Sequence, residues 1–429
     1  MKLLSTTIAL VFAIGALLTN ALPVGAYPLD GYEYTGISRL EGFRLAQQGK
    51  VRGRKVPVGA MLTLEEVDIR LTDRKDFGIP AENAKFAAQI RNLLGREGNM
   101  YGVAVLDLTD RDHPRYAGHR DGAMYNPGSV GKILVGLGLF QALADAYPDD
   151  PESRHKILKT TQATADEFIL SDHHKIPLWE PGDKRIRYRP LRKGDTANLY
   201  TYLDWMFSAS SNAAAAMNQR EMLLIKRFGR GYPLEEAAID AFFKETPKGE
   251  LSDLLSEAMH RPVDRNGMNS EELRQGGFFT WRGKQKAPGK NSYANARSLM
   301  EYLVKMEKGT LVDEFSSREL KRLLYMTQRR IRYASSPALR ESAVYFKSGS
   351  LYKCREEAGF SCGKYKGNVY NMMNSVAIVE SPYHDPPLYY MAVVMSNVPR
   401  KNSAVAHQTL GTRIHRLIES FHQPAKTAD

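Results

Sequence analysis

The chain has 429 residues, 43% of them hydrophobic and 10% aromatic, and a net charge of +12. That apolar content is ample for a sizeable core and excludes a disordered chain, and the length suits more than one layer or lobe. The charge is spread along the chain and favours anionic surroundings. No zinc-finger spacing, homeodomain-like helix or RNP sequence accompanies it, so nucleic acid is excluded as the main partner.

At the N-terminus, Lys2 precedes an apolar run from Ile8 to Leu18, followed by Pro23 and the small-residue site Val24-Gly25-Ala26. The pattern predicts a secretory signal over 1–26, cleaved after Ala26. The run is short for a bilayer span and no cysteine follows it for lipid attachment. No later segment reads as long and apolar enough to cross a membrane. The mature protein is therefore expected to be periplasmic or secreted, without a transmembrane anchor, and monomeric.

Residues 27–80 read as a charged extension packed on the main fold, with one strand-like piece, Met61 to Leu71. The main domain is expected over 81–424. A helical pattern over Ala81–Leu94 (Phe86, Ile90, Leu93 or Leu94) leads to a strand at Tyr101–Leu108 and a second around Arg115–Gly118. The middle of the chain reads as helices, among them Ala213–Phe228, Leu234–Lys244, Leu251–Met259 and Ala294–Met306. An exception is Arg185-Ile-Arg-Tyr-Arg189, which alternates like an exposed edge strand and reads either as a solvated edge or as a basic lip for an anionic substrate. Strands return at Ser342–Phe346, Ser375–Glu380 and Leu388–Ser396, and Val405–Phe421 reads as a closing helix. The expected fold is α/β (α+β). Its sheet lobe comes from both chain ends, about 81–125 and 335–424, and its helical lobe from about 126–334.

The only cysteines, Cys354 and Cys362, lie eight positions apart around Gly359 and can face each other across a hairpin as a disulfide. Two unpaired thiols in a surface loop are the alternative. A metal site needs more ligands than stand nearby, and neither metal nor cofactor is expected. His173-His174 could suggest a metal, but neighbouring side chains do not share one helix face, and both read as loop residues.

The stretch that organises the chain is Asn126-Pro-Gly-Ser-Val-Gly-Lys132 and the apolar run that follows it. A helix starting near Ser129 places Lys132 beside it at i,i+3. An amine in an apolar setting has a lowered pKa and can take the serine proton. A phosphate-binding loop competes for Gly131-Lys132, but it needs glycine where Asn126 stands and Ser or Thr where Ile133 stands. Ser-x-x-Lys recurs at Ser153, Ser350 and Ser361. Only Ser129 combines a helix-starting turn with a buried run.

Two later triplets follow in order: Ser210-Ser-Asn212 between helix-like segments, and Lys347-Ser-Gly349 on a strand. Ser-x-x-Lys, Ser-x-Asn and Lys-Ser/Thr-Gly together resemble the penicillin-recognising serine hydrolases, the serine β-lactamases and the D,D-peptidases called penicillin-binding proteins. The layout is closest to class A β-lactamases over Ala81 to Phe421. Gly102–Asp107 looks like the strand before the nucleophile helix, and Asn291–Met300 and Pro337–Arg340 look like later helical segments. The extension before Ala81, the long stretch between Lys132 and Ser210, and the cysteine hairpin are departures from that layout.

The resemblance implies an acyl-serine mechanism on a β-lactam or a peptidoglycan stem peptide, without a cofactor. Ser129 would be the nucleophile and Lys132 its proton acceptor, and Ser210 would relay a proton to the leaving nitrogen. Asn212 would orient substrate and Lys132. Lys347 and Ser348 would hold the substrate carboxylate, and Gly349 would let the strand come close. Backbone N–H groups of Ser129 and Ser350 would form the oxyanion hole. One family element is missing: no Glu-x-x-Leu-Asn loop stands between Asn212 and Asn291, where Glu271-Glu272-Leu273-Arg274, Glu245 and Glu250 read as surface carboxylates. The gap leaves two alternatives to a β-lactamase, a D,D-peptidase and a non-catalytic binding protein.

Overall fold

The structure, a computed structural model, describes residues 29–169, 172–325, 330–384 and 386–422. The expected signal segment lies outside the described residues. Five strands, β1 (Tyr101–Asp107), β2 (Arg115–His119), β3 (Ala343–Lys353), β4 (Tyr370–Ser381) and β5 (Leu388–Asn397), form one antiparallel sheet in the order β2-β1-β5-β4-β3. The N-terminal and C-terminal strands join at the β1–β5 ladder, where Val103 pairs with Val394. The sheet is therefore completed only when the two ends of the domain meet, as the order of elements in the sequence implied.

The principal helices are α1 (Ser38–Gln47), α2 (Ala84–Leu94), α3 (Lys132–Ala146), α4 (Leu199–Phe207), α5 (Asn212–Phe228), α6 (Ala296–Glu307), α7 (Glu314–Tyr325) and α8 (Ser403–His422). Every residue of β1 is buried, because both faces of the sheet are covered and alternate side chains enter different cores. Val103 and Val105 join Phe86 and Ile90 of α2 and Ile414 and Ile418 of α8. Ala104 and Leu106 join the larger core on the other face, with Ile133 and Leu137 of α3 and Leu299 and Leu303 of α6.

Helix α3 is buried without a break from Lys132 to Leu143, which explains its unrelieved apolar run. Residues 128–146 are long and apolar enough to span a bilayer by length and composition, which the sequence reading had excluded; 83% of the apolar window is buried inside the protein. Other helices behind the sequence, such as α5 and α6, begin where side chains cap them. Ser211 Oγ accepts from Ala214 N at 3.1 Å, and Asn295 Oδ1 accepts from Ser298 N at 2.7 Å.

The segment before α2 is part of the same core. Ile37, Leu40, Leu62, Val67 and Leu71 pack into it, and Phe43 and Ala46 of α1 cluster with Trp179 and Ile186 from the stretch between α3 and α4. The two departures from the expected layout therefore pack on each other. Buried Arg39 of α1 and Asp204 of α4 form an ion pair, with Nε to Oδ2 at 2.6 Å. The strand expected at Met61–Leu71 does not form. Its backbone is satisfied elsewhere: Leu62 N donates to Tyr325 Oη at 3.0 Å, Arg70 N to Glu307 Oε2 at 2.7 Å and Leu71 N to Glu307 O at 2.9 Å. Those partners sit on α6 and α7, so the alternating apolar residues anchor an irregular strap.

Under that strap lies a buried charge node. Lys321 Nζ of α7 is 2.8 Å from Glu307 Oε1, 2.9 Å from Glu380 Oε1 of β4 and 2.6 Å from Asp68 O, and Arg70 closes on Glu380 Oε2 at 3.0 Å. The basic stretch expected as an edge does pair, Arg187–Arg189 against Ile176–Leu178, with Arg187 bound to Asp183 and Arg189 to Asp195. Cys354 and Cys362 are joined as a disulfide in the β3–β4 connection.

Removing one member of a buried ion cluster leaves its partners charged and unpaired. Lys321→Met is expected to destabilise the protein by about 3–5 kcal/mol, read from the midpoint shift in urea denaturation. Lys226→Met, at a partly exposed pair with Asp145, is expected to shift stability by about 1 kcal/mol or less.

Candidate active site

The turn that carries Ser129 is built before the helix that carries Lys132. Asn126 Oδ1 accepts from Gly128 N at 2.9 Å, Gly128 takes a left-handed φ of 53°, and residues Gly128–Gly131 form a 3₁₀ turn that runs into α3. The α-helix thus starts at Lys132 rather than at Ser129. The i,i+3 relation survives, because a 3₁₀ turn also places every third residue on one side. Lys132 Nζ lies 3.1 Å from Ser129 Oγ.

Two other parts of the chain close on this pair. Ser210, in the turn between α4 and α5, has a φ of 58°, a strained value for serine. Its carbonyl accepts from Lys132 Nζ at 2.6 Å, and its Oγ lies 3.4 Å from the same nitrogen. Asn212 Oδ1 accepts from Lys132 Nζ at 2.7 Å. From β3, Lys347 Nζ donates to Ser210 Oγ at 2.9 Å. The three triplets thus meet in one hydrogen-bonded chain: Ser129 Oγ, Lys132 Nζ, Ser210 Oγ, Lys347 Nζ.

Gly349 and Gly128 bring β3 against the nucleophile turn. A Cβ on Gly349 would lie 2.1 Å from Pro127 O and 2.8 Å from Ser129 N, and one on Gly128 would lie 3.1 Å from Ser350 N. The backbones at Ser129 and Ser350 therefore approach closely across two glycines. Asn374 of β4 fixes the same turn from below, donating to Asn126 O at 2.9 Å. The Ser-x-x-Lys copies at Ser153 and Ser361 lie elsewhere, on the helix Pro151–Thr160 and in the disulfide connection.

Burial sets the electrostatics. Lys132 is fully buried, and loss of solvent, opposed by Asp172 and aided by Arg332, brings its pKa down to about 7. Lys347 is held well below its ordinary value by burial and by the charges of Lys132 and Arg332. A neutral amine beside a partly exposed serine hydroxyl can accept its proton.

Several site residues carried no signal in the sequence. Arg332, at a left-handed φ of 54°, donates to the hydroxyls of Ser348 and Ser350 and stacks on Tyr365 of the disulfide connection at 4.6 Å. Phe279 presents its ring face to Lys132 Nζ at 4.8 Å, and buried Gln275 fills the space against Gly131, where a Cβ would lie 2.2 Å from its Oε1. The carboxylates named from sequence point away: Glu271 bonds Arg274 and Tyr293, Glu272 bonds Asn295, and Glu245 and Glu250 are exposed on the helices Glu236–Glu245 and Lys248–Met259. Among the described residues, no carboxylate is hydrogen-bonded to Ser129 or Lys132.

His173 and His174 are loop residues, as expected, and Asp172 beside them ties the loop to the site. Asp172 Oδ2 accepts from Ser211 Oγ at 2.7 Å and from Ala213 N at 3.0 Å, and Oδ1 meets His174 Nδ1 at 2.6 Å. With His173 they bring three potential ligand atoms within 4.8 Å of one another. Both Asp172 oxygens accept from donors, so the group is held as a hydrogen-bonded cluster.

No family model and no curated protein matches this sequence. Among solved structures, a PBP-A variant captured as its acyl-enzyme with penicillin G superposes with a TM-score of 0.50 at 13% identity, over 80% of this chain and 99% of that one. A β-lactamase from Sphaerobacter thermophilus gives 0.49 at 13% identity, over 79% and 98% of the chains, and the TLA-3 extended-spectrum β-lactamase gives 0.49 at 13%, over 79% and 99%. The likeness to PBP-A shows the fold: this chain has the fold of the penicillin-recognising serine hydrolases.

With the free amine as the expected base, reaction at Ser129 would require Lys132 neutral, and the neutral fraction rises through about pH 7. Acylation of Ser129 by a serine-directed reagent is expected to climb about tenfold per pH unit below that point and level off above it. Lys132→Met is expected to remove the dependence together with most of the rate, both measured by intact mass in a pH series.

Proposed function

We propose that this protein is a serine hydrolase that opens an amide bond through an acyl-Ser129 intermediate. The observation that supports this reading most directly is the unbroken chain from Ser129 Oγ through Lys132 Nζ and Ser210 Oγ to Lys347 Nζ, with contacts of 3.1, 3.4 and 2.9 Å. Ser129 attacks the amide carbonyl as Lys132 takes its proton. The N–H groups of Ser129 and Ser350 receive the oxyanion. As the C–N bond breaks and the acyl–oxygen bond is kept, Ser210 hands a proton to the departing nitrogen and is refilled from Lys132.

The substrate carries a carboxylate near the scissile amide. Lys347, Ser348, Ser350 and Arg332 gather an amine, a guanidinium and two hydroxyls around the middle of β3, a set suited to a carboxylate. A β-lactam or an acyl-D-alanyl-D-alanine stem peptide has that group. The β-lactamase-like fold supports both, and the absence, among the described residues, of a carboxylate hydrogen-bonded to Ser129 or Lys132 favours the second reading, a peptidoglycan D,D-peptidase. An exported location accords with the Cys354–Cys362 disulfide.

Benzylpenicillin followed by intact mass tests the proposal. A covalent adduct is expected on Ser129 and none on the Ser129→Ala protein; adduct at Ser153 or Ser350, or no reaction at all, would sink it. Arg332→Ala is expected to reduce acylation efficiency by about ten- to a hundredfold, the loss of one charge-assisted contact to the carboxylate. An ester of the same penicillin is expected to show little difference between the two proteins.

A further inference from the structure

Hydrolysis has a second half, in which water must be deprotonated to attack the acyl-enzyme, and the residues described so far provide only the first. Gln275 and Phe279 occupy the flank of Ser129–Lys132, and neither can accept a proton from water. A different pair is positioned near the same lysine. Asp172 is 1% exposed and His174 25% exposed, so the carboxylate is sealed while the imidazole reaches solvent. Asp172 is tied to Ser211 and Ala213, whose neighbours Ser210 and Asn212 both hold Lys132. The carboxylate thus fixes the imidazole to the turn that carries the proton relay.

We propose that His174, oriented by Asp172, is the general base that activates the hydrolytic water at acyl-Ser129. This rests on the acyl-serine reading above. Asp172 accepts from Nδ1–H and thereby sets the tautomer, leaving the Nε2 lone pair to take a proton. Among the described residues Nε2 has no hydrogen-bond partner. The hydrogen bonds from His174, Ser211 and Ala213 outweigh burial and keep Asp172 ionised well below the usual carboxylate range. Burial lowers the imidazole pKa, Lys132 and His173 push the same way, and Asp172 opposes them, so the ring is neutral near pH 7.

The step balances. His174 Nε2 takes one proton from water as the hydroxide oxygen bonds to the acyl carbon. The tetrahedral adduct collapses and the ester C–O bond to Ser129 breaks. Ser129 Oγ recovers the proton from the imidazolium by way of the Lys132 amine, and the product leaves as a carboxylic acid that ionises in solvent. Asp172 is a positioning residue that touches neither water nor substrate.

Wild-type, His174→Gln and His174→Ala proteins are pulsed with benzylpenicillin, excess drug is removed, and the acylated fraction is followed by intact mass. The expected result is adduct on Ser129 in all three, decaying at least tenfold more slowly in both variants. Added imidazole is expected to restore decay to His174→Ala and not to His174→Gln. The wild-type decay rate is expected to hold level around pH 7 and fall only below the ordinary imidazole pKa of about 6.5; the charged groups acting on this ring are Asp172, Lys132 and His173. Equal decay in wild type and His174→Gln, or a wild-type adduct that does not decay at any pH, overturns the assignment and leaves the acyl-serine reading standing. No adduct on wild-type Ser129 overturns both.

Discussion

The molecule depends on how one buried amine is satisfied. Lys132 sits at the start of a helix surrounded by apolar side chains, where an ammonium would be expensive and an unpartnered amine nearly as unwelcome. Its partners are Ser129 one turn back and Ser210 and Asn212 about eighty residues onward. Satisfying Lys132 therefore locks the nucleophile turn to the junction of α4 and α5. The same burial that demands those contacts strips solvent from the nitrogen and makes it basic in the useful range. Structure and reactivity here have a single cause.

The other constraint is proximity to β3. Lys347 can share Ser210 with Lys132 only if the strand comes within contact distance of the nucleophile turn, and glycines at 128 and 349 leave room for that approach. The result is a site dense in positive charge, with Lys132, Lys347 and Arg332 close enough to lower one another's proton affinity. Such a site suits an anion, and burial together with neighbouring charge lowers the proton affinity of both lysines.

The segments that set this chain apart from the expected layout act as supports. The 29–80 strap packs on α4, α6 and α7 through the Arg39–Asp204 pair and the Lys321 node, and it covers the insertion between α3 and α4 through Trp179 and Ile186. That insertion delivers Asp172 and His174 to the active-site turn. The disulfide connection delivers Tyr365 to Arg332. The insertion and the disulfide connection thus end at the rim of the site, and the strap supports the insertion from behind.

Much of this was legible from the residues alone. Short runs, most of them apolar, marked all five strands of the sheet, and a period of 3.6 or strong helix formers marked many of its helices, because these elements are buried in a regular way. The three triplets were legible because each is a short local arrangement: a serine and lysine one turn apart, a turn between helices, a glycine on a strand. The Met61–Leu71 piece misled, since alternation reports which side chains are buried and not whether a neighbouring strand exists to accept the backbone. Arg332, Gln275, Phe279, Asp172 and His174 could not be found at all. Their roles come from partners distant in sequence, and a lone arginine or a pair of histidines in a loop has no local pattern to betray it. The sequence by itself determined the local arrangement, a serine one turn from a lysine and the strand that meets them; the tertiary structure alone decided what surrounds that arrangement, because burial, charge and reach at Lys132 are set by chain segments that meet only on folding.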